Sequence, residues 1–159
     1  KDVIIMSVGD PDFATPAPIV DAAISALKSG ETHYTPIAGY KNLRSAIAKE
    51  LERVSGDETY KLSPENIMVT AGTQNALFAS SLCLIDAGDD IVALDPMYVT
   101  YEATWRLAGG NLIKVATPRE NGFRLDANAL AAAITPKTKA IVFANPNNPT
   151  GTDIHVPDL

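Results

Sequence analysis

Apolar and polar positions follow one rhythm before Asn66 and another after it. In the first stretch, Val3 to Val8 is a short apolar run closed by Gly9-Asp10-Pro11-Asp12, which predicts a strand and a turn. Thr15-Pro16 then reads as a helix start, with Thr15 as cap and Pro16 in the first turn. Ile19, Val20, Ala23, Ile24 and Leu27 follow at helical spacing, and Gly30 closes the helix. After an irregular stretch, Thr32 to Tyr40, a second amphipathic helix begins near Lys41. Its apolar stripe is Leu43, Ile47, Leu51 and Val54, and Ser55-Gly56-Asp57 ends it.

Beyond Asn66 short apolar runs alternate with helical patterns. Ile67–Thr70, Ile91–Leu94, Leu112–Val115 and Lys139–Ala144 read as strands. Between them lie helices over Gln74–Leu84, with Ala76, Leu77, Ser80 and Leu84 on one side, and over Tyr98–Leu107, closed by Gly109-Gly110. A short third helix, Ala127–Ala133, is capped by Asp126. Uniformly apolar strands separated by helices predict an α/β fold with a parallel sheet covered on both faces. Right-handed crossovers would place the strand-to-helix turns along one edge of that sheet. There is no internal repeat or linker; Ser55–Pro64 reads as a loop.

Composition narrows the function classes. The 159 residues are 46% hydrophobic and 20% charged, ordinary for a globular domain. A net charge of −6 argues against a nucleic-acid surface, and the basic residues form only scattered pairs such as Lys41/Arg44 and Lys137/Lys139. Cys83, the single cysteine, sits in Leu82-Cys83-Leu84-Ile85 and is expected to be a buried structural thiol; neither a disulfide nor a metal site can be built from it. No apolar run approaches the ~18 residues of a membrane span. The N-terminus lacks a signal-peptide core and an initiating methionine, so the expectation is a cytoplasmic protein, represented here by a fragment.

Three turns at the predicted sheet edge carry the candidate chemistry. Ala71-Gly72-Thr73-Gln74 joins a strand to a helix N-terminus, where unpaired N–H groups and the helix dipole favour an anion. It matches neither a P-loop nor a G-x-G-x-x-G, and taken alone an ordinary capped helix explains it better. Tyr98, after Asp95-Pro96-Met97, is either core or a platform for a flat ligand, whereas Tyr101 and Trp105 read as packing. Asn145-Pro146-Asn147-Asn148-Pro149-Thr150-Gly151 offers amide groups on a proline-stiffened turn. Together the three describe a pocket for a planar phosphorylated ligand.

The motifs resemble those of the class I/II aminotransferases, pyridoxal-phosphate enzymes of fold type I. The resemblance rests on Asn147-Asn148-Pro149-Thr150-Gly151 and on Gly9-Asp10-Pro11-Asp12-Phe13-Ala14-Thr15-Pro16. It rests equally on Tyr34-Thr35-Pro36-Ile37-Ala38-Gly39, Leu43-Arg44, Val69 through Leu77, and Gly88-Asp89-Asp90 through Pro96-Met97-Tyr98, all in the family's order. Within the family the chain looks most like the bacterial aspartate-aminotransferase-like subgroup. The resemblance implies a three-layer αβα fold, incomplete here: residues 1–30 from the small domain and 31–159 from the first half of the large, cofactor-binding one. It implies that Gly72, Thr73 and Gln74 hold the phosphate of pyridoxal 5'-phosphate, that Tyr98 stacks on its ring, and that Asn148 donates to its phenolic oxygen. A donor there favours the ionised oxygen. Gly9 would lie near the substrate carboxylate, Tyr34 would reach the phosphate of a second subunit in a homodimer, and the Asn148–Pro149 bond would be cis.

The resemblance also implies groups that this chain lacks: the lysine that links to the cofactor, the aspartate on its pyridine nitrogen and the arginine that grips the substrate carboxylate. All three follow the Asn-Pro-Thr-Gly turn in family members, and Lys137 and Lys139 fall at the opposite edge. No residue is therefore assigned as catalytic, none as a metal ligand, and the fragment alone is expected to be inactive. The expected parent moves an amino group from an amino acid to a 2-oxo acid. A C–S lyase of the same fold and a non-catalytic, regulatory relative remain the alternatives.

Overall fold

The computed structural model describes residues 3–4 and 9–154. Most of the strand expected over Val3–Val8 lies outside the described residues. Two compact units follow one another along the chain, Lys1–Met68 and Val69–Leu159.

Among its described residues the first unit holds two α-helices and a short 3-10 turn, Pro64–Asn66. Helix α1, Ala17–Lys28, starts one residue later than the sequence suggested. Pro16 is the flanking residue and Thr15 provides no cap; Pro18, not Pro16, occupies the first turn, where a missing N–H costs nothing. The far end is as expected. Gly30, at φ 91°, donates to Leu27 O while Glu31 N reaches back to Ala26 O, a Schellman closure. The apolar stripe of α1 buries nothing: Ile19, Val20, Ile24 and Leu27 are all exposed.

Helix α2, Lys41–Ser55, ends at Gly56 in the left-handed region. Its one buried residue is Ala48, and its best-anchored side chain is Arg44. The Arg44 guanidinium donates to Gly39 O at 3.2 Å and to Pro64 O at 2.6 Å, joining the helix to the segments before and after it. Glu52 accepts from Leu62 N at 2.6 Å, closing the Ser55–Pro64 loop back onto the same helix.

The second unit is a three-stranded parallel sheet with helices on both faces. In chain order it contains α3 (Thr73–Leu84), β1 (Asp90–Asp95), α4 (Thr100–Leu107), β2 (Asn111–Ala116), α5 (Ala127–Ala133) and β3 (Thr138–Val142). The spatial order is β2-β1-β3, so β1 is central. Its residues Asp90 to Leu94 are all buried, which explains a run apolar on both faces. Alternate residues feed two cores. Val92 and Leu94 pack with Val115, Leu130 of α5 and Ile154, whereas Ile91 packs with Ile85, Tyr101 and Trp105 on the α3/α4 side. Gly110, just before β2, sits so close to Ile91 that a Cβ would have no room.

Three expectations are corrected. Ile67 has extended backbone, but the run Ile67–Thr70 forms no strand; a strand exists only through pairing, and no described residue pairs with it. On α3 the inward residues are Leu77 and Ser81, continued by Ile85, one every four positions, while Ser80 and Leu84 face out. Cys83, two positions and about 200° round from Ser81, is therefore exposed rather than buried. The expected α5 and its cap stand as read: Asp126 accepts from Asn128 N and Ala129 N.

Candidate functional site

Parallel pairing sets the geometry. Asp95 lies level with Ala116, and Ala93 with Val142, so β1, β2 and β3 all finish at the same edge. The turns after β1 and β3 leave from there. The run before α3 is not part of the sheet; the Ala71–Gln74 turn is joined instead to α4, through the Gln74–Thr104 bond and a groove that Ala71 and Gln74 line together with Val99 and Thr100.

At the head of α3, Gly72 stands at φ 81° and ψ 165°, and no side chain caps the helix. The carbonyl of Gly72 accepts from Ala76 N, so the N–H groups of Thr73, Gln74 and Asn75 are those that an α-helix leaves without acceptors. Apart from Gly72 and its immediate chain surroundings, no described atom lies within 4 Å of the place its Cβ would occupy, which leaves the backbone open to a ligand. Thr73 is exposed beside it. The Gln74 amide is engaged elsewhere: Nε2 donates to Thr104 Oγ1 of α4 at 2.7 Å. What Gln74 retains for an anion is its main-chain N–H.

Tyr98 sits on the turn from β1 to α4 and is 37% exposed. Its ring meets that of the buried Tyr101 edge-on, with centroids 5.8 Å apart and an interplanar angle of 75°. An edge contact steadies a ring while leaving a face accessible. Tyr101 and Trp105 are buried, as expected of packing residues.

The three asparagines after β3 do different work. Asn145 exchanges two hydrogen bonds with the main chain of Ile154, Nδ2 to O at 3.2 Å and N to Oδ1 at 2.8 Å, which holds the outgoing chain against the α5-side core. Asn147 Nδ2 donates to Pro96 O at 3.1 Å and to Thr150 Oγ1 at 2.8 Å. Asn148 is exposed, and its amide has no hydrogen-bond partner among the described residues. The Asn148–Pro149 bond is cis, as are Asn145–Pro146 and Asp95–Pro96.

The structure thus carries Gly72, Thr73, Gln74, Tyr98 and Asn148 within one compact unit. Gly9 and Tyr34 belong to the other; both are exposed. An open groove of about 670 Å³ runs between α3 and α4, lined by Ala71, Gln74, Phe78, Val99, Thr100 and Leu107 among others. Neither Tyr98 nor Asn148 lines it, so it is not a space those two share. Among the described residues no group of His, Cys, Asp or Glu could hold a metal ion. Two residues escaped the sequence reading, Asn147 and Thr104. The first was visible only as one amide among three, and the second as a helix-interior threonine; their partners lie 51 and 30 positions away.

The family model for aminotransferase class I and II matches residues 1–159. The chain belongs to that family. This aminotransferase chain is 44% identical to an arginine–pyruvate transaminase of Pseudomonas aeruginosa, over 97% of its own length and 38% of that protein's. It is 41% identical to an aspartate/prephenate aminotransferase of Thermus thermophilus, over 94% of this chain and 38% of that one. Among solved structures it superposes on the Thermus thermophilus aspartate aminotransferase crystallised with maleate, with a TM-score of 0.88, 40% identity, and coverage of 94% of this chain and 38% of that one. The fold is therefore the partial αβα arrangement expected. The aminotransferase chain spans a little over a third of the length of the relatives it matches.

Proposed function

We propose that this chain is the N-terminal portion of a pyridoxal-phosphate-dependent aminotransferase that moves an amino group from an amino acid to a 2-oxo acid. The observation that carries the reading is a set of unused donors beside one half-exposed ring. The N–H groups at the uncapped head of α3 and the Asn148 amide are left without partners among the described residues, and Tyr98 lies on the intervening turn. That set suits a ligand with a phosphate at one end, a flat ring, and an oxygen carrying negative charge. When bound, pyridoxal phosphate supplies the electron sink that lets a proton leave the amino-acid α-carbon.

The chain's own residues bind and orient. The main-chain donors of Thr73 and Gln74 hold the phosphate, and Gly72 keeps the approach clear. Tyr98 covers one face of the ring. Asn148 donates to the phenolic oxygen and stabilises its ionised form. The residue that links covalently to the cofactor belongs outside residues 1–159, so the isolated chain is inactive. Residues 1–30 contribute to the small domain and 31–159 to the large one. Gly9 then lies near the substrate carboxylate, and Tyr34 reaches a second subunit's phosphate in a cytoplasmic homodimer.

The test is spectroscopic. The full-length protein purified with pyridoxal phosphate is expected to show a bound-cofactor absorption band that an amino-acid donor bleaches and a 2-oxo acid restores. A full-length protein with no such band would overturn the enzyme reading.

A further inference from the structure

Adjacent asparagines in the turn after β3 have opposite fates. The Asn148 amide is exposed and without a partner among the described residues, whereas Asn147 engages both amide hydrogens, on Pro96 O at 3.1 Å and Thr150 Oγ1 at 2.8 Å. A carbonyl oxygen can only accept, so the contact with Pro96 fixes which way the Asn147 amide faces. The Asn147 main chain is occupied as well. Its N–H donates to Thr152 O at 2.8 Å, and its carbonyl accepts from Gly151 N at 2.8 Å, with Gly151 at φ 70°. Asn147 is therefore anchored in its own turn and reaches across to the turn after β1. Pro96 lies two residues before Tyr98, and Asn147 one residue before Asn148. The ring platform and the amide donor hang from the two ends of one hydrogen bond.

We propose that Asn147 is a positioning residue: its amide clamps the turn that carries Asn148 to the turn that carries Tyr98, and so aims Asn148 Nδ2 relative to the ring that Tyr98 covers. This rests on the reading that Asn148 donates to the cofactor's phenolic oxygen. Aim matters because a hydrogen bond prefers an angle above about 150° and weakens steeply below about 120°. Without the Asn147 amide, the turn after β3 loses its side-chain bond to Thr150 along with the one to Pro96; the β1/β3 ladder, which ends at Ala93 and Val142, still holds the strands but not the turns beyond them.

The test uses the full-length protein and two readouts other than turnover, the pH midpoint of the bound cofactor's absorbance change and the cofactor dissociation constant. Asn148→Ala is expected to raise the midpoint, because the phenolic oxygen loses a donor and keeps its proton to higher pH. Asn147→Ala is expected to raise it less and to weaken binding about tenfold. The double variant is expected to go no further than Asn148→Ala alone, since Asn147 acts only through its neighbour. Thr150→Val, which removes the second acceptor of the Asn147 amide, is expected to give a smaller shift in the same direction, and it carries the test if Asn147→Ala does not fold. A midpoint unmoved by Asn147→Ala and Thr150→Val, with Asn148→Ala active, would overturn the clamp while leaving the role of Asn148 intact. So would full additivity in the double variant. A midpoint unmoved by Asn148→Ala would overturn the role of Asn148, and the clamp with it.

Discussion

Gln74 Nε2 donates to Thr104 Oγ1 at 2.7 Å, tying the first turn of α3 to the middle of α4. Thr104 is only 3% exposed and passes its own hydrogen to Thr100 O at 2.8 Å, so the exposed Gln74 begins a short, part-buried relay that ends inside α4. The Gln74 side chain is thus a brace, and its contribution to an anion comes from the main chain. Gln74→Leu is expected to lower the folding stability of the full-length protein by about 1 kcal/mol, the usual net worth of such a bond. A urea unfolding midpoint checks it; an unchanged midpoint would mean the brace is not formed in solution.

Gly72 has a different vulnerability. A Cβ there meets nothing within 4 Å, yet φ 81° with ψ 165° lies in a region essentially reserved for glycine. Gly72→Ala is therefore expected to fail through backbone conformation, at about 1–3 kcal/mol, and not through a clash. If the backbone relaxes to avoid the strain, the N–H groups at the head of α3 turn away from the phosphate. Equilibrium dialysis of pyridoxal phosphate should then show weakened binding; unaltered affinity would separate Gly72 from the phosphate.

Glu102 ties α4 to β2, accepting from Lys114 at 2.7 Å and from Arg106 at 3.0 Å. The bond from Lys114, then that from Arg106, holds the carboxyl below its ordinary value of 4.5. A depressed carboxylate pKa contributes stability above the unfolded value, and that contribution is lost as pH falls through the folded one. The melting temperature of the native protein is accordingly expected to exceed that of Glu102→Gln at neutral pH. The gap should narrow as pH drops below about 4.5, and salt should shrink it because the pair is partly exposed. A gap that is indifferent to both would contradict the assignment.

The central architecture was legible because its signals are local. The apolar run from Ile91 to Leu94 is buried on both faces, and Asp126 sits one residue before α5 and caps it. What escaped was decided by distant partners. Ile67–Thr70 has strand-like composition but, among the described residues, no strand beside it. The inward face of α3 runs through Leu77 and Ser81, because Ser81 bonds Phe78 O at 2.7 Å and so can be buried where a bare polar pattern would put it outside. In the candidate site, the turn after β3 was legible as a unit, but the division of labour among Asn145, Asn147 and Asn148 was not. Three amides look alike in a sequence; Ile154 and Pro96 distinguish two of them.

The most direct test is a crystal structure of the full-length protein with pyridoxal phosphate bound. The account predicts phosphate oxygens within hydrogen-bonding distance of the main-chain N–H groups of Thr73 and Gln74, the ring against Tyr98, and Asn148 Nδ2 on the phenolic oxygen. A cofactor seated away from the head of α3, or an Asn148 amide turned from the ring, would contradict it.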